Sequence, residues 1–99
     1  MHKVKIWLDD VCPAPIGYNW CKSVNETIKY IEDCEKNSLS IELLDLDHDL
    51  GEYAIDGGDG IKLVDWLAET KRFYKINLHA MNPVGRENMQ REIDRYWNS

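Results

Sequence analysis

Three short β-forming runs, with helical patterns between them, restrict the fold of this chain more than any other feature. The runs cover residues 4–8, 41–46 and 75–80, and a shorter extended stretch covers residues 18–21. Apolar residues recur at helical spacing after residue 23, between residues 60 and 71, and after residue 82. Strands that alternate with helices predict right-handed crossovers and therefore a parallel sheet.

Each predicted helix begins at a residue type that commonly caps helices. The capping residues are Ser23, Asp59 and Asn82. The connection between the first run and the extended stretch differs, because Pro13 and Pro15 exclude a helix interior there. We therefore expect a proline loop at this connection.

The composition excludes several classes of protein. The chain has 99 residues and a formal net charge of −6, so we expect one domain over residues 1–99 and no binding of duplex nucleic acid. The three cysteines lack Cys-x-x-Cys spacing, which indicates free thiols, a reducing compartment and a cytoplasmic location. No apolar run approaches the roughly 20 residues of a membrane-spanning helix, so no membrane partner is expected.

The first run ends in two carboxylates, Asp9 and Asp10. Adjacent anions raise each other's pKa unless a cation lies between them, so this pair predicts a divalent-metal site. Ligands that are all oxygen atoms favour Mg²⁺ or Mn²⁺. A helix cap or a solvated turn is the alternative, and it would be preferred for an isolated pair of aspartates.

The second long run ends in Asp47-His48-Asp49. Asp47 is a candidate third metal ligand. His48 and Asp49 are candidates for acid–base catalysis, because the ordinary pKa of histidine lies near neutral pH. A polar exit from the strand is the alternative. The number of carboxylates leaves a two-metal site open, whereas an EF-hand is excluded because Leu50 and Asp56 replace its glycine and glutamate.

The last run ends in His79, shortly before the helix that begins at Asn82. A single histidine at a strand end is commonly a core residue, but the helix N-terminus that follows favours a bound anion and makes His79 a catalytic candidate. Asn82, Gly85 and Arg86 are the candidate substrate-binding residues. Gly85 would let a phosphate approach, and Arg86 would add a bidentate contact, with a solvated side chain as the equal alternative for Arg86.

The candidate residues share one position in the predicted fold. Parallel sheets bind ligands outside the carboxyl ends of their strands, and every candidate follows such an end. We therefore expect the candidates to meet on one rim of the sheet. For Trp7 and Trp20, packing is favoured over a surface on which a base stacks.

Five segments of the chain together resemble a known family. They are Trp7-Leu8-Asp9-Asp10, Pro13-Ala14-Pro15, Asp47-His48-Asp49-Leu50-Gly51, Gly60 and residues 79–89. In this order they resemble the cyclic-phosphate-processing receiver-like domain, a family derived from the response-regulator receiver fold. The resemblance covers nearly the whole chain, and its most specific parts are Asp-His-Asp-Leu-Gly and His-x-x-Asn-Pro-x-Gly.

The resemblance implies an α/β fold, a three-layer flavodoxin-like sandwich with four parallel strands in the order 2-1-3-4. It matches Asp9 and Asp10 to the receiver's metal-binding pair, and Asp47, in preference to Asp49, to its phosphoacceptor position. His79 stands at the strand end where receivers have Ser or Thr. The proline loop replaces the first crossover helix, and we expect no last strand with a phosphate-binding lysine. These two departures argue against a role in phosphorelay.

The resemblance also implies the handling of cyclic nucleotides or other small cyclic phosphates. We predict a phosphoesterase that hydrolyses such a ligand with Mg²⁺ or Mn²⁺ held by Asp9, Asp10 and Asp47. One of the two strand-end histidines would act as general acid or base. Two alternatives stay open. One is a module that binds a cyclic nucleotide without cutting it, and the other is a degenerate receiver that acts as a protein-interaction domain.

Overall fold

The four predicted strands form one parallel sheet in the predicted order. The structure is a computed structural model that describes residues 2–97. Its strands are β1 (Lys3–Leu8), β2 (Tyr18–Cys21), β3 (Ser40–Leu46) and β4 (Ile76–Leu78), in the order β2-β1-β3-β4. Every neighbouring pair is parallel, so all four carboxyl ends lie at the same edge. The α/β class and the strand order are therefore confirmed.

Within residues 2–97, two α-helices and a short 3-10 helix connect strands, and a third α-helix follows β4. They are α1 (Val24–Lys36), α2 (Gly60–Glu69), α3 (Pro83–Trp97) and the 3-10 helix Gly51–Ile55. Ser23 caps α1 as predicted, because its Oγ accepts a hydrogen bond from Glu26 N at 3.0 Å. Asp59 precedes α2 but accepts instead from Leu50 N at 3.1 Å, which ties the loop after β3 to this helix. Within residues 2–97, no helix is long and apolar enough to cross a membrane.

The apolar core lies on one face of the sheet, and all three helices pack against that face. Val4, Ile6 and Leu8 of β1 are buried in one cluster with Ile31 of α1, Leu67 of α2 and Met89 of α3. The crossovers from β2 to β3 and from β3 to β4 run in the same direction, so right-handed connections place both helices on one side. The three-layer sandwich expected from the sequence is thus corrected to two layers within residues 2–97.

The connection from β1 to β2 explains why the other face has no helix. This connection runs in the opposite direction across the sheet, so a right-handed crossover helix would cover that face. Residues 9–17 form a loop without a helix instead, as the two prolines predict. Two indole groups fix the loop. Trp7 Nε1 donates to Cys12 O at 2.9 Å, and Trp20 Nε1 donates to Asp9 O at 2.7 Å.

The opposite side of the sheet has no helix packed on it within the described residues, and we call it the helix-free face. The strand residues that point to this side include polar side chains. Trp7 of β1 pairs in register with Asp45 of β3, and Asp45 pairs with Asn77 of β4. These residues alternate along their strands with the buried core residues. Asp45 is only 5% exposed, so this face holds a buried carboxylate close to the rim.

Candidate active site

The candidate residues that follow β1, β3 and β4 lie together on one rim. Carboxylate oxygens of Asp9, Asp10 and Asp47 lie within 4.8 Å of one another. His79 Nε2 is 3.0 Å from Asp9 Oδ2. The predicted meeting of these four residues is therefore confirmed. Asp9, Asp10 and Asp47 form the group that we name the acidic cluster.

Asp9 is the most buried member of the acidic cluster, with 3% of its surface exposed. Its Oδ1 accepts hydrogen bonds from the backbone N–H groups of Val11 at 2.9 Å and Cys12 at 2.8 Å. These bonds replace water around the buried anion and fix the turn after β1. Because two donors already occupy Oδ1, Oδ2 is the oxygen with capacity for a further partner besides His79.

Asp47 lies at the point where β3 passes into the next loop. Its backbone N–H donates to Leu8 O at 2.9 Å, and its Oδ1 accepts from His48 N at 2.8 Å. Burial raises the pKa of the Asp47 carboxyl, and the negative charges of Asp9 and Asp10 raise it further. The hydrogen bond from His48 N lowers this pKa, but its effect is smaller than that of burial. A divalent cation would relieve this cost of ionising a third carboxylate beside two others.

Gly51 leaves the space that the Asp10 side chain occupies. Its backbone has a φ of +54°, and an added Cβ would lie 2.6 Å from Asp10 Oδ2. A larger residue here would strain the backbone and press on the carboxylate. The Asp-His-Asp-Leu-Gly segment therefore contributes to the acidic cluster through Asp47 and through the space at Gly51.

His79 is held by contacts on three sides. Its Nδ1 is 2.7 Å from Asp45 Oδ1, and its Nε2 is 3.0 Å from Asp9 Oδ2. The imidazole also stacks on the Trp7 indole, with ring centroids 3.8 Å apart and an interplanar angle of 4°. These contacts fix the position and the orientation of the ring. They also cover one face of Trp7, so a ligand base cannot stack on that face in this arrangement.

Asp45 is a site residue that sequence reasoning misses. Its Oδ1 accepts a hydrogen bond from Asn77 Nδ2 at 3.1 Å and lies 2.7 Å from His79 Nδ1. The available signal was a charged residue inside an otherwise apolar strand, two positions before Asp47 and therefore on the same face. The partner His79 lies 34 residues further along the chain, so the contact itself depends on strand register.

His48 contacts a different set of residues. Its Nδ1 is 2.7 Å from Asp49 Oδ1, and its side chain is 15% exposed. The ring packs on Gly85 of α3, where an added Cβ would lie 2.5 Å from the imidazole Cγ. The imidazole therefore fills the space that the sequence analysis assigns to an approaching phosphate. His48 packs between the loop and α3, and it is not among the described residues that line the cleft over the acidic cluster.

Asn82 links Asp49, the partner of His48, to the first turn of α3. Its Nδ2 donates to Asp49 Oδ2 at 3.2 Å, and its Oδ1 accepts from the N–H groups of Val84 and Gly85, both at 3.1 Å. Asn82 therefore caps α3 as predicted, but the cap uses the N–H groups expected to bind phosphate. The cradle expected at Gly85 is not formed in this arrangement. Arg86 is exposed and lines a neighbouring depression on the surface.

A second group of possible ligands surrounds His48. Ligand atoms of His48, Asp49 and Asp59 lie within 4.8 Å of one another. These residues already pair with protein groups, and the hydrogen bond from His48 lowers the pKa of the Asp49 carboxyl. An anion stabilised in this way has less need of a cation than Asp47, whose pKa is raised. The acidic cluster is therefore the stronger candidate for a metal.

A cleft of about 480 Å³ opens above the acidic cluster, a volume that suits a small ligand. It is lined by Trp7, Asp9, Asp10, Val11, Cys12, Asp47, Asp49, His79, Met81 and Asn82. Val11 and Met81 are 72% and 91% exposed, so apolar side chains stand at its edge. No lysine or arginine is among the described residues that line it. An anionic ligand in this cleft would therefore meet the charges of the acidic cluster with no cationic side chain in the described lining to offset them.

Comparison with known proteins identifies one family. A family model described as the cyclic-phosphate processing receiver domain matches residues 4–95. This region contains all the site residues described above. Neither the curated proteins nor the solved structures contain a match to the chain.

Proposed function

The chain belongs to the cyclic-phosphate processing receiver domain family, and from this premise we propose that it hydrolyses a small cyclic phosphate in the cleft above the acidic cluster. Water adds to phosphorus, one P–O bond of the ring breaks, and the freed oxygen takes up a proton. The product is a linear phosphate monoester. Mg²⁺ or Mn²⁺ held by Asp9, Asp10 and Asp47 is part of the proposal.

The observation that supports this proposal best is the charge of the cleft. The acidic cluster brings three carboxylates within 4.8 Å, and the described lining contains no lysine or arginine that could attract a phosphate. The residues fit a hard divalent cation, because their ligand atoms are all oxygen, and burial and the neighbouring carboxylates raise the pKa of Asp47, an effect that a cation would oppose. When bound, such a cation would act as a Lewis acid toward the phosphoryl group.

The protein's own groups have separate tasks in this proposal. The N–H groups of Val11 and Cys12 hold Asp9 so that Oδ2 is directed to a ligand. His79 Nε2 faces the acidic cluster, so it is the ring atom placed to hold or transfer a proton there. We assign His48 to the support of the loop, because it packs on α3. Asn82 lines the cleft and is the candidate contact for the rest of the ligand.

A module that binds the cyclic phosphate without cutting it is the second candidate. One observation favours it. His79 contacts carboxylates through both ring nitrogens, and this arrangement restricts its freedom to transfer a proton. Such a module would share the cleft and the cation but would release its ligand unchanged.

A product assay tests the proposal. Purified protein is incubated with 2′,3′-cyclic, 3′,5′-cyclic and cyclic oligonucleotide substrates, with Mg²⁺, with Mn²⁺ and with EDTA, and the products are separated by chromatography. We expect cation-dependent conversion of one class to a linear monoester. Retention of an unchanged nucleotide would favour the binding module. If the protein neither converts nor retains any of these substrates, both proposals are contradicted and a protein-interaction domain is favoured.

Two variants that each remove one carboxylate charge test whether the activity depends on the acidic cluster. Asp47→Asn should lower turnover by about 100-fold or more, because it removes a ligand of the Lewis acid. Asp33→Asn is the matched control, since Asp33 is an exposed carboxylate on α1 away from the rim. Full activity in Asp47→Asn would remove the acidic cluster from the mechanism.

A further inference from the structure

Asp45 is a buried carboxylate that has no role in the proposed reaction as described so far. It is 5% exposed and lies on the helix-free face, one step along β3 from the core residues Leu44 and Leu46. A buried anion is stable only with hydrogen-bond donors or an opposite charge. Asn77 Nδ2 donates to Asp45 Oδ1 at 3.1 Å, and His79 Nδ1 lies 2.7 Å from the same oxygen.

The contacts of Asp45 and Trp7 determine where the imidazole of His79 points. Trp7 and Asp45 are register neighbours on adjacent strands, and both touch the ring. Stacking on the indole defines the plane of the imidazole, and the bond to Asp45 defines its rotation within that plane. Together they leave Nε2 directed at Asp9 Oδ2, 3.0 Å away. Residues on β1 and β3 therefore orient the ring of a residue that directly follows β4.

We propose that Asp45 is a positioning residue for His79. By accepting the N–H of Nδ1, it keeps a proton on this nitrogen and directs Nε2 at the acidic cluster. A histidine oriented in this way by a carboxylate presents one defined ring atom to its second partner. The proposal rests on the proposed function for its catalytic consequence, but the orientation of His79 can be measured without any substrate.

The wild-type chain provides the first test. Two-bond ¹H–¹⁵N correlation spectra of the histidine side chains show which ring nitrogen of His79 carries a proton, and the His79→Gln variant assigns its signals. We expect a proton on Nδ1 at neutral pH, with and without Mg²⁺. A proton on Nε2 alone would overturn the proposal, because an unprotonated Nδ1 cannot donate to Asp45.

The Asp45→Asn variant provides the second test. The amide has nearly the same size but lacks the charge that favours a proton on Nδ1, so we expect a changed spectrum for His79. Glu42→Gln is the control, because it removes a carboxylate from an exposed position of the same strand. A folded Asp45→Asn chain with the wild-type His79 spectrum would overturn the proposal. If this variant does not fold, the wild-type spectrum decides.

Turnover separates the role of Asp45 from the proposed function. If the wild-type chain converts no cyclic phosphate, the proposed function fails, and the spectra still decide whether Asp45 orients His79. If the wild type is active, Asp45→Asn should lower kcat by about 10- to 100-fold and leave KM within about twofold. An unchanged kcat in the folded variant would overturn the catalytic consequence.

Discussion

The two histidines at the strand ends, His48 and His79, have the same type of partner in very different surroundings. Each places a ring nitrogen 2.7 Å from an aspartate. The partner of His79 is the buried Asp45, and its second nitrogen faces the acidic cluster. The partner of His48 is Asp49, whose side chain is 61% exposed, and the ring is packed on α3.

A histidine–aspartate pair does not by itself determine whether the ring faces a ligand cleft or packs inside the fold. His79 is held by β1 and β3, two strands whose relative positions the core determines. His48 belongs to a loop that Gly85 and Asn82 attach to a helix. The first arrangement directs a ring into a cleft, whereas the second fills a gap between two elements.

Replacing each histidine in turn should give the largest contrast. His79→Gln should lower kcat by about 100- to 10,000-fold, the range for a lost general acid or base. His48→Gln should lower kcat by less than about tenfold, since this ring packs on α3 and does not line the cleft. The measurement is turnover at saturating cyclic phosphate with Mg²⁺, with circular dichroism to verify folding. Equal losses in the two variants would contradict the distinction between the histidines.

Cation binding should distinguish the two groups of carboxylates. A ligand at about 100 times its Kd stabilises the folded state by about 2.7 kcal/mol, which raises Tm by more than about 10 °C in a domain of this size. Saturating Mg²⁺ should therefore raise the Tm of the wild type and of Asp49→Asn, but not of Asp47→Asn. Thermal melts with Mg²⁺ and with EDTA measure the shift. A full shift in Asp47→Asn would place the cation outside the acidic cluster.

Two glycines offer a contrast between stability and cation binding. Gly85→Ala would place a Cβ 2.5 Å from the His48 ring, and such overpacking costs about 1–3 kcal/mol. Its Tm should fall, while the rise caused by Mg²⁺ persists. Gly51→Ala would press on Asp10 Oδ2 and should diminish that rise. Thermal melts with Mg²⁺ and with EDTA measure both effects. A rise in Tm with Mg²⁺ as large in Gly51→Ala as in the wild type would show that Asp10 is not needed for the cation.

The smallest contrast is expected in the pH dependence of unfolding, measured by urea titration in EDTA. Burial raises the pKa of Asp47, so the folded chain binds this proton more tightly than the unfolded chain. Asp47 therefore destabilises the fold above its folded pKa, and the effect disappears as the pH falls toward the ordinary value of 3.8.

Asp49 should behave in the opposite sense. The hydrogen bond from His48 lowers the pKa of this carboxyl, so its stabilising contribution is present above the ordinary value of 3.8 and is lost as the pH falls through the folded pKa. At neutral pH, Asp47→Asn should raise the urea midpoint, and Asp49→Asn should lower it slightly because solvent screens this exposed pair. If the urea midpoints of the two variants shifted in the same direction, the inference that Asp47 and Asp49 have opposite charge environments would be contradicted.

The rim could be predicted from the sequence because it depends on strand ends alone. Once the strands are parallel and in the order 2-1-3-4, Asp9, Asp47 and His79 have to come close, whatever the details of the loops. Asp10 follows from its place beside Asp9. The acidic cluster required no knowledge of side-chain packing, which explains why a sequence pattern was sufficient to find it.

Features that depend on strand register or on side-chain packing could not be predicted in this way. The contact between Asp45 and His79 requires the exact alignment of β3 with β4. The single layer of helices, by contrast, follows from the strand order, the right-handed crossovers and the lost first helix, and the three-layer expectation came from the family resemblance alone. The position of Gly85 looked suited to an anion, but the loop turns the His48 ring into that space.

The helix-free face also affects how such a chain can change over evolutionary time. Core residues and site residues are neighbours in sequence but point to opposite sides, as in Ile6 and Trp7, Leu44 and Asp45, or Leu78 and His79. Point substitutions can therefore diversify the chemistry while the hydrophobic side stays as it is. A deletion of one residue within a strand would exchange both sets at once. New specificities are thus accessible by replacement within the strands, and changes of length are confined to the loops.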